Sequence, residues 1–178
     1  KDLDVDAVIE STGLFTSQSD AEKHILAGAK TVVISGPTKD TPTVVHGVNT
    51  DTGNVSVFSC ASCTTNNAAP MIKVINELCG IEQAYITTVH SYTTDQSLHD
   101  QPHKDLRRAR GASQSIVPTT TGAAKALTKI FPEMDGKIGG SGIRVPVPDG
   151  SLTDITCYVK KEVTIEEINA AFKKAAET

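Results

Sequence analysis

Apolar and polar positions give the first third of the chain the pattern of a small α/β unit. Short β-branched runs alternate there with one amphipathic segment that Ser19 is placed to cap. The pattern predicts strands over residues 5–10, 31–35, 44–46 and 55–59, and a helix over residues 20–27 that Gly28 ends. Short links between strand, helix and strand are typical of parallel sheets.

The remainder of the chain has longer elements. Its pattern predicts helices over residues 63–78 and 121–130, strands over 81–91, 143–147 and 154–160, and a last helix that starts with the capping box of Thr164 and Glu167. Residues 92–115 form a polar segment with few apolar positions. Loops of that length are usually functional or disordered, so we expect this one to serve a site.

The composition of the chain argues against several classes of protein. The 178 residues are 38% hydrophobic and 21% charged, with a net charge of −4, so the overall field favours neither nucleic acid nor an anionic membrane. No apolar run reaches membrane-spanning length. With no secretory signal and only four cysteines, we expect a reducing, cytoplasmic setting. The chain begins with Lys1 and ends directly after a helix, so we expect both domains to be truncated.

Cys63 is the strongest candidate for chemistry. It lies between hydroxyl residues where a helix is predicted to begin, and His90 ends an apolar, β-rich run. A helix N-terminus stabilises a thiolate, and a histidine can pair with that thiolate or act as its base. The alternatives are an inert buried cysteine, a core histidine, or a redox or zinc motif formed by Cys60 and Cys63. We assign no metal.

Several cations and hydroxyls suggest a site for a small anion. Arg107, Arg108 and Arg110 lie in the polar segment, and a run of three threonines and Gly122 follows at residues 119–122. Arg144 interrupts an apolar run and needs a partner there. Guanidinium groups and helix N-termini both bind phosphate. A solvated basic face is the alternative; nucleic-acid binding is a third reading that the acidic balance disfavours.

Taken in order, the motifs resemble the glyceraldehyde-3-phosphate dehydrogenase family along essentially the whole chain. They are ESTG at residues 10–13, GVN at 47–49, ASCTTN at 61–66, TTDQ at 93–96, DLRRARG at 105–111, PTTTGAAKA at 118–126 and RVP at 144–146. The resemblance implies an α/β fold in which residues 1–62 end a Rossmann-type nucleotide-binding domain. Residues 63–178 are then an α+β catalytic domain with a mostly antiparallel sheet.

The resemblance also implies roles. Cys63 is the expected nucleophile and His90 its base; Thr93 and Arg144 are expected to bind the substrate's phosphate. The expected site for inorganic phosphate comprises Ser62, Thr64, Arg108, Thr121 and Gly122, with Arg107 and Arg110 as alternatives to Arg108. Thr12, Gly13 and Ser35 are expected to contact NAD, with NADP left open. Glyceraldehyde 3-phosphate and phosphate are the expected substrates, and a homotetramer is the expected assembly.

The departures from the family pattern are also informative. Asn67 stands where a second cysteine is usual, four residues after the nucleophile. No glycine-rich dinucleotide fingerprint is present, nor the C-terminal segment expected to orient the nicotinamide. A polypeptide of these residues alone is therefore expected to be inactive. An erythrose-4-phosphate dehydrogenase stays open as an alternative, as does the redox or zinc module of Cys60 and Cys63.

Overall fold

The structure is a computed structural model that describes residues 3–51 and 53–177. Its strands are β1 (Ala7–Glu10), β2 (Thr31–Ile34), β3 (Val57–Ser59), β4 (Ile81–Ser91), β5 (Val117–Thr119), β6 (Ile138–Val145) and β7 (Leu152–Val159). Its α-helices are α1 (Gln18–Leu26), α2 (Cys63–Cys79), α3 (Ala123–Ile130) and α4 (Ile165–Ala176). None of the helices in these described ranges is long and apolar enough to cross a membrane.

The first sheet is parallel throughout, with strand order β1-β2-β3. Helix α1 covers it through Ala21, which packs with Val32, Ile34 and Val57 in a small buried cluster. The expected helix is present, but Ser19 is not its cap. The Ser17 backbone is extended and its Oγ accepts a hydrogen bond from Asp20 N at 3.2 Å, so the helix begins before Ser19.

The strand predicted at residues 44–46 is wrong. Pairing there is limited to a single bridge between Thr43 and Ser59. The Asn49 side chain accepts from Val45 N and donates to Thr43 O, both at 2.8 Å. A side chain that binds the backbone in this way offers an alternative to a strand ladder, so the segment is a loop.

The second sheet is mixed, with strand order β5-β6-β4-β7. β4 is parallel to β6, whereas the β4–β7 and β5–β6 pairs are antiparallel. The expected α/β class with a mostly antiparallel second sheet is thereby confirmed. Helices α2 and α3 cover one face, where Ile72, Ile86 and Leu127 are fully buried.

β6 and β5 differ most from the sequence pattern, whereas β7 begins two residues before the predicted strand and ends one residue before it. β6 begins at Ile138 rather than at residue 143. Its glycines are typical of turns, which hides the first half of the strand in the sequence. In the sheet they allow neighbouring chain to come close: a Cβ at Gly140 would lie 3.0 Å from Ile86 O. β5 was not predicted because it is short and contains Pro118. Proline is tolerated there since β5 is at the sheet edge.

Candidate active site

Cys63 is the first residue of α2 and its side chain is exposed. The preceding Ser62 caps the helix, with its Oγ accepting from Thr65 N at 3.1 Å. Cys63 therefore lies at the positive end of the helix dipole, where a thiolate is stabilised. Its Sγ is 3.2 Å from His90 Nε2, close enough for a hydrogen bond between the two.

The other ring nitrogen of His90 determines what Nε2 can do. His90 Nδ1 lies 2.7 Å from Ser91 O, which can only accept, and 2.9 Å from Arg144 Nη1, which can only donate. In the tautomer that carries its proton on Nδ1, this N–H donates to Ser91 O. In the neutral ring Nε2 is then the free base that faces Cys63. After it gains a proton, Nε2 can donate to the thiolate instead.

Arg144 lies directly opposite His90 in the register of β4 and β6. Its Nη1 is 2.8 Å from Ser91 O, 2.9 Å from His90 Nδ1 and 3.4 Å from Thr93 Oγ1. None of these partners carries a negative charge while His90 is neutral or protonated. Burial and the charge of Arg108 hold the pKa of Arg144 below its ordinary value, although Asp95 and Cys63 act in the opposite direction. A half-buried guanidinium in this position favours an incoming anion.

Most of the expected catalytic and phosphate residues line one cavity of about 180 Å³. Those that line it are Ser62, Cys63, Thr64, His90, Arg108, Thr121, Gly122 and Arg144. Thr93 does not line the cavity, but its hydroxyl reaches the Nη1 of Arg144, which does.

Sequence reasoning missed five residues that line the cavity: Pro37, Thr88, Ala126, Gly142 and Ile143. Thr88 could have been found, because it lies two positions before His90 on β4 and alternate strand residues share a face. Pro37 comes from the loop after β2 and carries no chemical group that would mark it.

Arg108 is the arginine of the long loop that reaches the cavity. Its Nε donates to Thr119 Oγ1 at 2.8 Å, and its Nη1 forms an ion pair with Asp95. Burial raises the pKa of Asp95, but the hydrogen bonds and charges of Arg108 and, to a smaller extent, His103 together keep that pKa below its usual range. Arg107 and Arg110 instead pair with Asp105 and Asp100 near the protein surface.

The three expected cofactor residues lie outside this cavity, at the carboxyl ends of β1 and β2. Thr12 and Gly13 follow β1, and Ser35 follows β2 with its N–H donating to Glu10 O at 2.9 Å. Thr12 is held by Glu10, whose Oε1 accepts from Thr12 N at 2.8 Å. The structure thus brings the three residues to one edge of the sheet, and Ser35 is two positions before the cavity-lining Pro37.

The described residues offer no set of metal ligands for the zinc alternative based on Cys60 and Cys63. Both cysteines are free thiols. Residues 3–51 and 53–177 contain no group of three or more histidine, cysteine, aspartate and glutamate side chains that could hold a metal ion.

Comparison with known proteins shows which family the chain belongs to. Residues 62–178 match the family model described as glyceraldehyde 3-phosphate dehydrogenase, C-terminal domain. The chain is 57% identical over 180 residues to glyceraldehyde-3-phosphate dehydrogenase of Streptomyces coelicolor, with 99% of this chain and 54% of that protein covered. The corresponding protein of Geobacillus stearothermophilus is 54% identical, with the same coverage. That of Mycobacterium avium is 55% identical over 179 residues, with 99% and 53% covered.

The chain spans about half the length of the curated relatives it matches. The family match nevertheless extends over the helix that starts with Cys63, both strands that carry His90 and Arg144, and the loop that carries Arg108. On that match, and on identities above 50% along nearly all of its residues, this chain belongs to the glyceraldehyde-3-phosphate dehydrogenase family.

Proposed function

We propose that the protein containing this chain oxidises glyceraldehyde 3-phosphate to 1,3-bisphosphoglycerate, with NAD and inorganic phosphate. The observation that carries the proposal is the 3.2 Å approach of Cys63 Sγ to His90 Nε2, in a cavity that two arginines and several hydroxyls line. The family membership supports the same reaction.

The first step is attack of the Cys63 thiolate on the aldehyde carbon, which forms a hemithioacetal. His90 Nε2 is placed to take the proton of the hemithioacetal hydroxyl when the neutral ring carries its own proton on Nδ1, beside Ser91 O. The first N–H groups of a helix have no partner within the helix, and Cys63 and Thr64 carry two of them. They are available to stabilise an oxyanion on the former aldehyde oxygen.

The residues at the ends of β1 and β2 fit one edge of a nicotinamide cofactor. Nucleotides bind outside the carboxyl ends of parallel strands, where Thr12, Gly13 and Ser35 lie. Gly13 has φ +76° and an added Cβ would meet nothing within 4 Å, so the backbone there leaves space for a ligand. When bound, the nicotinamide supplies the hydride acceptor for the oxidation. NAD is proposed as the cofactor, and NADP fits these three residues equally well.

Two anion sites flank Cys63 in this proposal. Arg144 and Thr93 hold the phosphate of the aldehyde substrate, since Arg144 has a half-buried charge and no carboxylate partner in its hydrogen bonds. Inorganic phosphate occupies the opposite side, where Arg108, Thr121 and Gly122 adjoin the start of α3. Ser62 and Thr64 complete that side. Loss of the hydroxyl proton to His90 and of a hydride to the bound nicotinamide would turn the hemithioacetal into a thioester of Cys63. Phosphate then attacks the thioester carbon, which releases the acyl phosphate and returns Cys63 to the thiolate.

We propose a homotetramer in which the outer face of the second sheet forms a subunit interface. Tyr85, Leu152 and Tyr158 are 50%, 60% and 72% exposed on strands β4 and β7. Apolar side chains exposed together on a sheet face usually mark an interface.

We also propose that residues 1–62 end a Rossmann-type domain and residues 63–178 form the catalytic domain. The four free thiols favour a cytoplasmic setting.

The proposal is tested by His90→Asn in the intact enzyme, with NADH formation measured from glyceraldehyde 3-phosphate and phosphate. Loss of the base is expected to slow the chemical step roughly 10²–10⁴-fold and to leave the fold intact, because asparagine fits the half-exposed position. His99→Asn, in an exposed loop position, is the matched control and is expected to keep wild-type turnover. Wild-type turnover in His90→Asn would remove the proposed role of the Cys63–His90 pair.

A further inference from the structure

The backbone just before Cys63 is strained. Ala61 has φ +64°, in the left-handed region that residues other than glycine seldom adopt. Its side chain is only 2% exposed, so it is fixed within the core. Such conformations persist only where surrounding contacts enforce them, and they tend to occur at functional sites.

The Asn66 side chain supplies such contacts. Its Nδ2 donates to Cys60 O at 2.6 Å and to Ser62 O at 2.9 Å, the carbonyls on either side of Ala61. Both partners can only accept, so the amide nitrogen must be the atom that faces them. One side chain therefore ties together the carbonyl groups of the residues immediately before and after the strained one.

A second contact holds the same turn from the opposite direction. Ser59 is fully buried, and its Oγ accepts from Ala61 N at 2.9 Å while donating to Gly36 O at 2.7 Å. The turn is thus fixed to the loop that follows β2. Asn66 remains the contact that spans Ala61 itself.

We propose that Asn66 is a positioning residue for the Cys63 nucleophile. By holding Ala61 at positive φ, it places Ser62 where its hydroxyl caps α2 and Cys63 where its Sγ meets His90 Nε2. The inference rests on the proposed function, since it takes Cys63 as the reacting group. Asn66 does not need to touch substrate; it acts through the backbone of residues 60–62.

A double-mutant cycle separates this role from a general contribution to helix stability. Glycine adopts positive φ without steric cost, so Ala61→Gly removes the strain that Asn66 is proposed to hold. If Asn66 acts through Ala61, its removal will matter much less when residue 61 is glycine. Asn67→Ala is the matched control: Asn67 is the same residue type one position later, exposed, and without a side-chain hydrogen bond in the described part of the chain.

The experiment uses the intact enzyme and measures the rate of iodoacetamide labelling at Cys63 together with kcat and KM. Asn66→Ala is expected to lower the labelling rate and kcat on the order of tenfold, with KM for the aldehyde near that of the wild type. Asn67→Ala is expected to change neither. The double variant Ala61→Gly/Asn66→Ala is expected to recover most of the loss. If Asn66→Ala does not fold, the double variant is expected to fold and to match Ala61→Gly.

Three results would overturn the inference: Asn66→Ala behaving like Asn67→Ala, an equal loss in the alanine and glycine backgrounds, or a double variant that also fails to fold. Failure of the proposed function is distinguishable from these. It would show as a folded wild-type enzyme that forms no NADH, while the comparison of labelling rates would still test the positioning of Cys63.

Discussion

The four cysteines of the chain differ in exposure, and their thiols therefore differ in expected reactivity. Cys63 is exposed at the start of a helix, whereas Cys79 is buried and Cys157 is half-buried. Burial, and to a smaller extent the neighbouring Cys79, raises the pKa of the Cys157 thiol. A higher pKa leaves less thiolate at neutral pH, and thiolate is the reactive form.

Limiting iodoacetamide at neutral pH is therefore expected to label Cys63 before the other three cysteines. Peptide mapping of the intact enzyme measures the order of labelling. The same reaction with His90→Asn is expected to be slower at Cys63, because the ring that contacts the sulfur is lost. First labelling at Cys79 or Cys157 would contradict the assignment of the nucleophile.

Arg144 provides a second prediction at this scale. Arg144→Ala is expected to lower kcat/KM for glyceraldehyde 3-phosphate roughly 10–100-fold, the usual worth of a hydrogen bond to a charged group. Unphosphorylated glyceraldehyde is expected to suffer much less, since it has no phosphate to lose. The control is Arg110→Ala, because Arg110 is 67% exposed and pairs with Asp100. Equal losses with both aldehydes would make Arg144 a support for His90 rather than a phosphate ligand.

At the scale of elements, two carboxylates hold the long loop of residues 92–115 beside the cavity. Asp95 pairs with Arg108, and Asp105 accepts from Arg107 and from Thr119 Oγ1. Hydrogen bonds from Arg107 lower the pKa of Asp105 to about 2, against a smaller opposing effect of burial. The pKa of Asp105 is lower in the folded protein than in the unfolded chain. The contacts of Asp105 therefore stabilise the folded loop fully above the unfolded-state pKa, and this stabilisation is lost as the pH falls through the folded-state pKa.

We therefore expect the loop to loosen between about pH 4 and about pH 2, as these carboxylates take up protons. Pepsin cleavage within residues 92–115, followed as a function of pH, measures the effect. Asp105→Asn is expected to loosen the loop already at higher pH, and Asp149→Asn, at an exposed turn, serves as the control. Cleavage that does not change over this range would show that other contacts hold the loop.

The elements most accessible to sequence reasoning are those whose pattern is repeated over many residues. β4 and the start of α2 could be predicted to the residue, since a long β-rich segment and a capped helix leave few alternatives. β5 and the first half of β6 could not, because proline and glycine there are tolerated only through the edge position and the close packing of neighbouring strands. Within the site, Cys63 and His90 were marked by residue type, whereas Ile143 and Ala126 line the cavity only because of packing.

For the whole molecule, the first sheet exposes much apolar surface. Ile9, Leu14 and Leu26 are 74%, 76% and 80% exposed around β1 and α1. Exposed side chains of this size usually contact further structure or a partner. The sequence of these 178 residues also contains no glycine-rich turn to bind the pyrophosphate of a dinucleotide.

A purified polypeptide of only these 178 residues is therefore expected to form no measurable NADH, even with Cys63 and His90 in place. The reason is that the rate depends on holding the cofactor against the reacting carbon. The intact enzyme, assayed in parallel, is the control. NADH formation by the sequence-verified polypeptide would show that cofactor binding needs less of the protein than we infer.

The parallel register of β4 and β6 also sets the distance between the backbones that carry two groups of the site. His90 and Arg144 are paired residues of adjacent strands, and such strands lie about 4.8 Å apart. The ladder of backbone hydrogen bonds keeps the spacing of the two backbones constant. Under the proposed function, with Arg144 on the phosphate and Cys63 on the aldehyde, this spacing and the reach of the Arg144 side chain together limit the chain lengths that fit between the two groups.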